Sequence, residues 1–360
     1  MKALVTGANG LIGANLLREL LLSGHDVRAM VRPTADQTHI VVLPVEIVYG
    51  DVLDPASLVT AMAGQDWVFH TAVHFSYWGH TPEDMARTAV DGTRNVLIAA
   101  HDAGVRRIVM TSSSVTLGAD YSPTVRDENR RADDLSDEPA YVRAKIDQEN
   151  EAIALARSIG VDLVIACPTM SVGPFGAALG PSNGVITSYL ADPQRLTWAG
   201  GCNIVAVRDV ARGHILLAER GLPGERFVLG SENLYWHEIH TMIAELTGTP
   251  PPGAPASATT CYWLALAEEA RATLTGGAPL ATRAQAKMVG RYYWYSHERA
   301  AAIGYVPGSS RAALADAIAW LVQGEHVSRE TRMRIRLDRC VHEARAALAS
   351  HERRMPAVAA

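Results

Sequence analysis

The feature that most constrains this chain is a glycine-rich turn at residues 5–13, VTGANGLIG. The apolar residues 2–5 fit a buried strand that leads into the turn, and the leucines within residues 16–21 recur at helical spacing after it. A strand that turns into a helix in this way aims free backbone N–H groups and the positive end of the helix dipole at one point, which suits a pyrophosphate. The context therefore favours a dinucleotide site over a structural turn in some other α/β protein.

The three glycines of this turn have separate roles. Gly7 permits the tight turn, Gly10 lets backbone N–H groups approach a pyrophosphate, and Gly13 lets the helix pack closely on the strand. We predict that the cofactor contacts these residues of the turn: Gly7, Asn9, Gly10, Leu11, Ile12 and Gly13.

The end of the second predicted strand, residues 26–31, bears on the choice of cofactor. In an NAD site, an acidic residue stands at this position, about twenty residues past the last glycine, and hydrogen-bonds the ribose 2′-hydroxyl. Val31 and Arg32 stand at this place instead, and a guanidinium pairs well with a 2′-phosphate. We predict NADP as the cofactor, with Arg32 on its 2′-phosphate; the alternative is a solvated surface arginine.

Strands and helices alternate through the first half of the chain. This order predicts an α/β fold, with a Rossmann doubly wound parallel sheet and helices on both faces. After the first two strands, the predicted strands are 45–52, 67–70, 107–110 and 161–167, and the predicted helices are 56–62, 82–103 and 141–159.

The second half of the chain is organised less regularly. It is rich in Gly and Pro between Pro168 and Gly201, and after Gly324 it shifts to Arg, Glu and Ala. One tail helix, from about Ser328 to Ser350, is expected to pack on its own subunit or a partner and not on DNA. Helices are also predicted near 186–190, 209–220, 235–247, 264–274 and 311–323. The predicted units are a dinucleotide-binding domain (1–167), a smaller substrate-binding part interleaved with the last strands of the sheet (168–324) and the tail (325–360).

Further cofactor contacts are expected at the carboxyl ends of the strands, where open α/β sheets bind their ligands. The carboxylate of Asp51, for example, can accept from the adenine amino group, although it can equally cap its own turn. The predicted contacts at these strand ends are Asp51, Val52, Thr71, Ala72, Val73, Thr111, Pro168 and Thr169.

A tyrosine and a lysine provide candidate chemistry. Tyr141 and Lys145 lie four residues apart on one predicted helix, so their side chains point the same way. An ammonium and an oxidised nicotinamide ring both favour the phenolate, so such a tyrosine can exchange a proton with a substrate oxygen near neutral pH. Ser113, at the end of the fifth strand, can hold that oxygen by a hydrogen bond, or it can simply cap the strand end. A tyrosine and a lysine four residues apart are common in helices. The position of this pair, after the glycine-rich turn and the strand that ends in serines, is what makes a catalytic role credible.

These segments together resemble the extended short-chain dehydrogenase/reductase family over about residues 1–324. Within it the chain is similar to dihydroflavonol-reductase-like proteins, through 168–175 and 224–234, and to hopanoid-associated sugar-epimerase-like ones, through the latter segment. The segments in the order and spacing of the family are 6–13, 50–51, 69–72, 90–96, 111–113 and 141–145.

The resemblance implies roles for several residues. It makes Ser113, Tyr141 and Lys145 catalytic, with Ser114 as the alternative serine, and it also assigns Arg32 to the 2′-phosphate and Asp51 with Val52 to adenine. The chain departs from the family at Ala89, where asparagine is usual, so one polar contact near the cofactor is missing.

Three functions compete: an NADP-dependent reductase or alcohol dehydrogenase, a nucleotide-sugar epimerase or dehydratase that retains its cofactor, and a non-catalytic NADP-sensing regulator. The retained tyrosine and lysine disfavour a regulator. Arg195 is the one Lys or Arg within 173–207, where a nucleotide diphosphate would need cations, and Ser114-Val115 stand where sugar dehydratases carry Asp-Glu. We therefore predict an oxidoreductase acting on the ketone or aldehyde of an apolar or aromatic small molecule, or on the corresponding alcohol.

The predicted substrate contacts are mostly aromatic, and each of the aromatic ones has core packing as its alternative. They are His74, Tyr77, Trp78, Ser113, Met170, Phe175 and Trp198.

Composition excludes some partners. A formal charge of −5 gives no net basic field for nucleic acid, and no apolar run of 18 residues predicts a membrane span. The four cysteines are scattered without a CxxC, so no metal site is expected. With no signal peptide before the first strand, we expect a cytoplasmic protein with a small-molecule substrate, and a homodimer is compatible with the sequence.

Overall fold

The computed structural model describes residues 1–73, 77–132 and 138–356. A seven-stranded, fully parallel sheet forms its centre, with the order β3-β2-β1-β4-β5-β6-β9 in the numbering that follows. This is the doubly wound sheet that the sequence predicts. The strands are β1 (Lys2–Thr6), β2 (Asp26–Val31), β3 (Glu46–Tyr49), β4 (Trp67–His70), β5 (Arg107–Thr111), β6 (Leu163–Pro168), β7 (Met170–Val172), β8 (Gly201–Ala206), β9 (Arg226–Leu229), β10 (Glu232–Tyr235) and β11 (Tyr292–Tyr293).

Helices cover both faces of the sheet. On one face α1 packs against α6, and on the other α3 packs against α4. The helices are α1 (Leu11–Leu22), α2 (Pro55–Met62), α3 (Pro82–Asp102), α4 (Ala140–Ile159), α5 (Pro181–Ala191), α6 (Val207–Arg220), α7 (Trp236–Thr247), α8 (Ala258–Thr275), α9 (Arg283–Ala286), α10 (Glu298–Ala302), α11 (Ser310–Leu321), α12 (Arg329–Arg334) and α13 (Arg339–Arg353).

The central strands are apolar on both sides because each face of the sheet has its own core. In β1, Ala3 and Val5 belong to the core beside α1, while Leu4 belongs to the core beside α3 and α4. This period of two, with both sides buried, explains why these strands read as continuous apolar runs.

A second, smaller sheet is built around β8. β8 pairs in parallel with β7 and β11 and antiparallel with β10. These strands were not predicted, because they have two to six residues and lie among glycines and prolines. Between them, β9 returns to the central sheet beside β6, so residues after Pro168 contribute to both sheets.

The tail is not the single helix that was predicted. It forms α12 and α13, separated by the extended residues 335–338, where the N–H groups of Arg336 and Asp338 donate to carbonyl oxygens at the end of α7. Ile335 and Leu337 pack on the core, so burial of this short segment outweighs helix continuation. Asp338 then caps α13 by accepting from the Cys340 N–H.

Helix α13 packs against α11 of its own chain, and its end contacts α1 through a cluster of charged side chains. Arg18 Nε donates to Glu352 Oε1 at 2.7 Å, and His351 Nε2 lies 3.6 Å from Glu19 Oε1. Arg208 is 3.9 Å from Glu19 on the other side. We call these five residues the tail clamp. Among the described residues, no helix is both long and apolar enough to cross a membrane.

Candidate active site

The glycine-rich turn has the geometry that its sequence predicts. Gly7 adopts a φ of +65°, and a Cβ there would lie 2.7 Å from the Cα of Ala72. A Cβ on Gly13 would lie 2.4 Å from the carbonyl oxygen of Gly7. Gly10 is the N-cap residue of α1 and offers no side chain to cap it, so the first N–H groups of the helix remain available to an anion. The turn therefore fits a dinucleotide pyrophosphate.

Residues at the neighbouring strand ends surround this turn. The Thr71 hydroxyl donates to Thr6 O at 2.7 Å, and Ala72 N–H points to the Thr6 hydroxyl at 3.4 Å. Asn9 O accepts from the Ala177 N–H at 3.1 Å, which ties the turn to the segment after β7. The predicted contacts from Gly7 to Gly13 and at Thr71, Ala72 and Val73 thus lie at one sheet edge.

The three residues expected on the adenosine half of the cofactor differ in how far their side chains are already engaged within the protein. Arg32 is exposed directly after β2, and its side chain makes no ion pair with the described part of the chain. Asp51 Oδ1 accepts from Leu53 N–H at 2.9 Å, so this carboxylate does cap its own turn, with the second oxygen left over. Val52 is buried, and a Cβ on Gly92 of α3 would lie only 2.7 Å from its side chain.

Two other predicted cofactor contacts have side chains committed within the protein. The Thr111 hydroxyl lies 2.8 Å from Nε2 of buried His214. The Thr169 hydroxyl donates to Asn203 Oδ1 at 2.8 Å, which joins the end of β6 to the second sheet. Their backbones, and that of Pro168, remain the parts that can face a cofactor.

The structure brings Ser113, Tyr141 and Lys145 together. Tyr141 begins α4 and shares a hydrogen bond with Ser113, which lies just after β5. The alternative serine, Ser114, instead hydrogen-bonds Tyr295, in the segment after β11. The geometry therefore favours Ser113 as the partner of the phenol.

The expected lowering of the tyrosine pKa, which involves Lys145 and an oxidised nicotinamide ring, stays a prediction for the cofactor complex. Burial raises the pKa of Tyr141 to about 12, and the hydrogen bond from Ser113 opposes this only in part. The Nζ of Lys145 donates to Thr111 O at 2.8 Å and to Gln148 Oε1 at 2.9 Å. Burial also lowers the pKa of Lys145 to about 7, so this lysine is part-protonated at neutral pH. The resting phenol is protonated and poised as a donor.

A chain of buried hydrogen bonds continues from Lys145. We call its five members the catalytic network: Lys145, Gln148, Thr93, His70 and Thr6. Gln148 Nε2 donates to Thr93 Oγ1 at 2.8 Å. Thr93 Oγ1 lies 3.0 Å from Nε2 of His70, and Nδ1 of His70 lies 2.9 Å from the hydroxyl of Thr6. Burial, followed by the charge of Lys145, lowers the pKa of His70 to about 3, so the imidazole is neutral. The network connects the lysine to β1 beside the glycine-rich turn.

Gln148 and its neighbour Glu149 were not predicted. Gln148 gives Lys145 a polar partner through its Oε1 atom. Glu149 accepts from the hydroxyls of Ser112 (2.6 Å) and Thr116 (3.0 Å) and from Arg226 Nη1 (3.0 Å), so it fixes the loop on both sides of Ser113. Their positions one turn after Lys145 on α4 were the available signal, since i+3 and i+4 share a helix face.

The predicted substrate contacts lie in different parts of the structure. Tyr77 packs edge-on against Tyr141 with ring centroids 6.0 Å apart, and Trp78 beside it is partly exposed. Met170 is half-buried in β7 and packs on the core beside α1. His74 lies outside the described residues.

Phe175 and Trp198 differ in burial, and their predicted substrate contacts stay predictions. Phe175 lies in the core, where it is 3% exposed, and its ring packs under the guanidinium of Arg18 and against Trp320. Trp198 is half-buried and packs on Trp236 and His240 of α7. Each ring thus has aromatic or cationic neighbours within the protein, as its core-packing alternative expects.

Residues 3–230 match the family described as NAD dependent epimerase/dehydratase. The chain belongs to this family. Its parallel sheet and its relatives identify it as an extended short-chain dehydrogenase/reductase. This group contains NAD(P)-dependent oxidoreductases and related enzymes.

Named members of the family are similar over most of their length. The chain is 34% identical over 331 residues to a Synechocystis protein named as a dihydroflavonol 4-reductase, which covers 88% of this chain and 93% of that one. It is 35% identical over 261 residues to cinnamoyl-CoA reductase 1 of Oryza sativa, covering 67% and 75%. The crystal structure of gox2253 has a TM-score of 0.79 and 34% identity, covering 91% of this chain and 99% of that one.

Proposed function

We propose that this protein is an NADP-dependent reductase. It reduces the ketone or aldehyde carbonyl of an apolar or aromatic small molecule to an alcohol, or catalyses the reverse oxidation. The observation that carries this proposal is a buried, protonated Tyr141 that is hydrogen-bonded to Ser113 at the carboxyl edge of the sheet. Relatives named as reductases add support.

The side chains divide the work of a carbonyl reduction. The substrate oxygen accepts hydrogen bonds from Tyr141 and Ser113, and Tyr141 gives it a proton. The reduced nicotinamide, when bound, supplies the hydride to the carbonyl carbon, so the C=O bond becomes a secondary or primary alcohol. Lys145 has two of its three N–H donors on Thr111 O and Gln148 Oε1, which leaves one for the cofactor ribose or the phenol.

The cofactor preference rests on Arg32. Its exposed guanidinium follows β2, where an acidic residue would favour NAD. NADPH should therefore bind roughly 10- to 100-fold more tightly than NADH, which is the usual worth of a charged hydrogen bond of this kind.

Arg32→Ala should erase most of that preference, whereas Arg157→Ala, an exposed arginine at the far end of α4, should leave it intact. Dissociation constants measured by fluorescence titration test this. Equal affinities for the two cofactors in the unmutated protein would contradict the assignment.

The epimerase alternative needs cations for a nucleotide diphosphate. Arg195, the single cation within 173–207, instead donates to the carbonyl oxygen of Tyr189 and lies over the ring of Tyr189 at 5.4 Å. Its charge is thus satisfied within its own segment, which weighs against that alternative.

The reaction class is tested by following NADPH absorbance with a panel of aromatic, steroidal and aliphatic ketones and aldehydes. We expect multiple turnovers with stoichiometric NADPH consumption, and cofactor that dialyses away. Tightly retained cofactor, no net consumption and interconversion of a nucleotide sugar would instead establish the epimerase.

A further inference from the structure

We infer that Arg18 is a positioning residue for the cofactor. Its side chain is 1% exposed, so it does not itself face a ligand. Its guanidinium instead joins three segments that border the dinucleotide site: the start of α1, the loop that begins at Arg32, and residues 174–177. The inference rests on the dinucleotide binding of the proposed function and does not depend on the reaction that follows.

The guanidinium of Arg18 lies where α1, the loop after β2 and the tail meet. Its Nη1 donates to Ala14 O at 3.0 Å, and its Nη2 donates to His39 O at 2.9 Å. Its Nε donates to Glu352 Oε1 of α13 at 2.7 Å. Because the group is planar and its donors have fixed directions, these bonds fix α1, the loop and α13 relative to one another.

The loop that Arg18 holds carries the predicted contact to the 2′-phosphate. It starts with the exposed Arg32 directly after β2, and its far part is anchored by His39 and by the fully buried Ile40. The ring of His39 also packs edge-on against Trp320 of α11, with ring centroids 4.8 Å apart. The place of the Arg32 guanidinium at the cofactor site therefore depends on this anchorage.

The guanidinium of Arg18 also stacks on Phe175, whose backbone is strained. Its Cζ lies 3.8 Å from the centroid of the Phe175 ring, and Trp320 packs against the same ring at 4.9 Å. The φ of Phe175 is +71°, a left-handed conformation that a bulky side chain rarely adopts. Such a conformation is disfavoured by about 10-fold or more, and it persists only where its surroundings hold it. Arg18 and Trp320 provide that hold.

Residues 174–177, which include the strained position, lie against the glycine-rich turn. The carbonyl oxygen of Pro174 accepts from Asn15 Nδ2 of α1 at 2.7 Å, and the Ala177 N–H donates to Asn9 O at 3.1 Å. Asn9 is itself a predicted cofactor contact. A shift of this segment would therefore disturb the turn that fits the pyrophosphate.

Stability alone does not account for a buried arginine at this place. Replacement of a buried ion pair by apolar side chains of similar volume is often neutral or stabilising. Directional bonds from one planar group to backbone carbonyl oxygens instead fix geometry. Without them, only a fraction of the molecules would hold the three segments in the binding arrangement, and the apparent affinity for the cofactor would fall by that fraction.

Cofactor affinity in Arg18→Met tests the inference. This variant keeps a long apolar side chain on Phe175 but loses every hydrogen bond of the guanidinium. Fluorescence titration of the full-length protein should show that the dissociation constants for NADPH and NADH both rise about 10-fold or more. Both should rise because the two cofactors share the pyrophosphate, whereas Arg32→Ala should act on NADPH alone.

Two matched variants separate positioning from stability. Arg107 is another arginine fork, 17% exposed, which donates to both carboxylate oxygens of Asp162 and to Ala218 O, but it begins β5 at the opposite, amino edge of the sheet. Glu352→Gln removes only the charge of the tail and leaves the bonds from Arg18 to the backbone. Arg107→Met and Glu352→Gln should both keep the dissociation constants within about 2-fold of the unmutated protein.

Amide hydrogen exchange without cofactor gives a local readout. In Arg18→Met, the amides of Ala177, Ile40 and Val41 should exchange faster while those of β5 exchange as before, since global unfolding would accelerate them all. Arg18→Lys keeps a positive charge beside Glu352 but lacks the planar fork, so its dissociation constants should rise less but in the same direction. This variant carries the test if Arg18→Met does not fold.

The outcomes separate this inference from the proposed function. Dissociation constants that stay within about 2-fold in Arg18→Met, or that rise equally in Arg107→Met, would overturn the positioning role and leave the proposed function intact. Tighter binding of NADH than NADPH, with both weakened by Arg18→Met, would reject the NADP assignment and support the positioning role. Failure of the unmutated protein to bind either cofactor would overturn both.

Discussion

Two buried polar clusters in this protein are built in opposite ways. In the catalytic network, Lys145, Gln148, Thr93, His70 and Thr6 are joined by contacts of 2.8 to 3.0 Å. None of their side-chain nitrogen or oxygen atoms is among the buried ones that lack a partner in the described residues. The network also carries little charge, because burial keeps His70 uncharged and lowers the pKa of Lys145 to about 7.

The tail clamp is charged and loosely paired. Glu19 Oε1 lies 3.6 Å from Nε2 of His351, and the carboxylate attracts Arg208 from 3.9 Å. Glu19 Oε1, Arg208 Nη2 and His351 Nδ1 lack hydrogen-bond partners among the described residues. Only Arg18 and Glu352 meet at hydrogen-bond distance.

The contrast follows from what each cluster does. Short directional hydrogen bonds fix atoms closely enough for proton transfer, whose rate depends steeply on geometry. Coulomb attraction between charges varies slowly with distance, so it can dock a helix without exact placement. Changes in the catalytic network should therefore act on rate, and changes in the tail clamp on stability.

The largest effect is expected at Tyr141, which lies one helical turn before Lys145 of the catalytic network. Tyr141→Phe removes the proton donor and should reduce turnover by about two to four powers of ten, with cofactor affinity near normal. Single-turnover kinetics and cofactor titration measure the two separately. Normal turnover in this variant would show that Tyr141 is not the acid.

Gln148→Leu should have a smaller effect on rate. It keeps the side-chain volume but removes the acceptor of Lys145 and the donor to Thr93, so we expect roughly a 10-fold loss in kcat and about 1–3 kcal/mol in unfolding free energy. The control is Gln323→Leu, which loses a single bond to Ala319 O on α11. A changed pH profile of kcat in Gln148→Leu alone distinguishes positioning of Lys145 from general destabilisation.

Acid should destabilise both clusters, because each contains a neutral buried histidine. Burial lowers the pKa of His70 to about 3 and that of His351 to about 4, against 6.5 when unfolded. Between these values the unfolded chain binds more protons, so stability is lost as pH falls below about 6.5, by about 1.4 kcal/mol per pH unit for each histidine.

Urea unfolding at pH 7 and pH 5 measures this loss. His70→Gln and His351→Gln should each flatten the pH dependence, but only His70→Gln should also change turnover. A turnover change in His351→Gln would erase the distinction between the two clusters.

The smallest effect is expected at the rim of the tail clamp. Glu352→Gln weakens one ion pair to Arg18, which keeps its bonds to Ala14 O and His39 O and its contact with Phe175. Glu352 is 35% exposed, so the cost should be about 1 kcal/mol or less, with kcat unchanged. Thermal unfolding and steady-state kinetics check this, and Glu330→Gln on exposed α12 is the control.

The first half of the fold could be predicted because its signals are local. Steric limits on Gly7 and Gly13 dictate the turn, and two-sided burial of short apolar runs dictates a parallel sheet. The pair Tyr141 and Lys145 was predictable for the same reason, since helical periodicity places both on one face. The strands β7 to β11 were not, because pairing partners that are far apart in sequence stabilise them.

By itself, then, the sequence determined the strand-turn-helix start, the parallel doubly wound sheet and the placement of Ser113, Tyr141 and Lys145 at its carboxyl edge, since glycine sterics and hydrophobic periodicity act over a few residues. Only the tertiary structure decided which polar groups meet. Gln148 hydrogen-bonds Thr93 across 55 residues of sequence and Glu149 pairs with Arg226 across 77, while Phe175 packs into the core. Such contacts, and the pKa values that burial then sets, depend on where distant segments pack and leave no periodic trace in the chain.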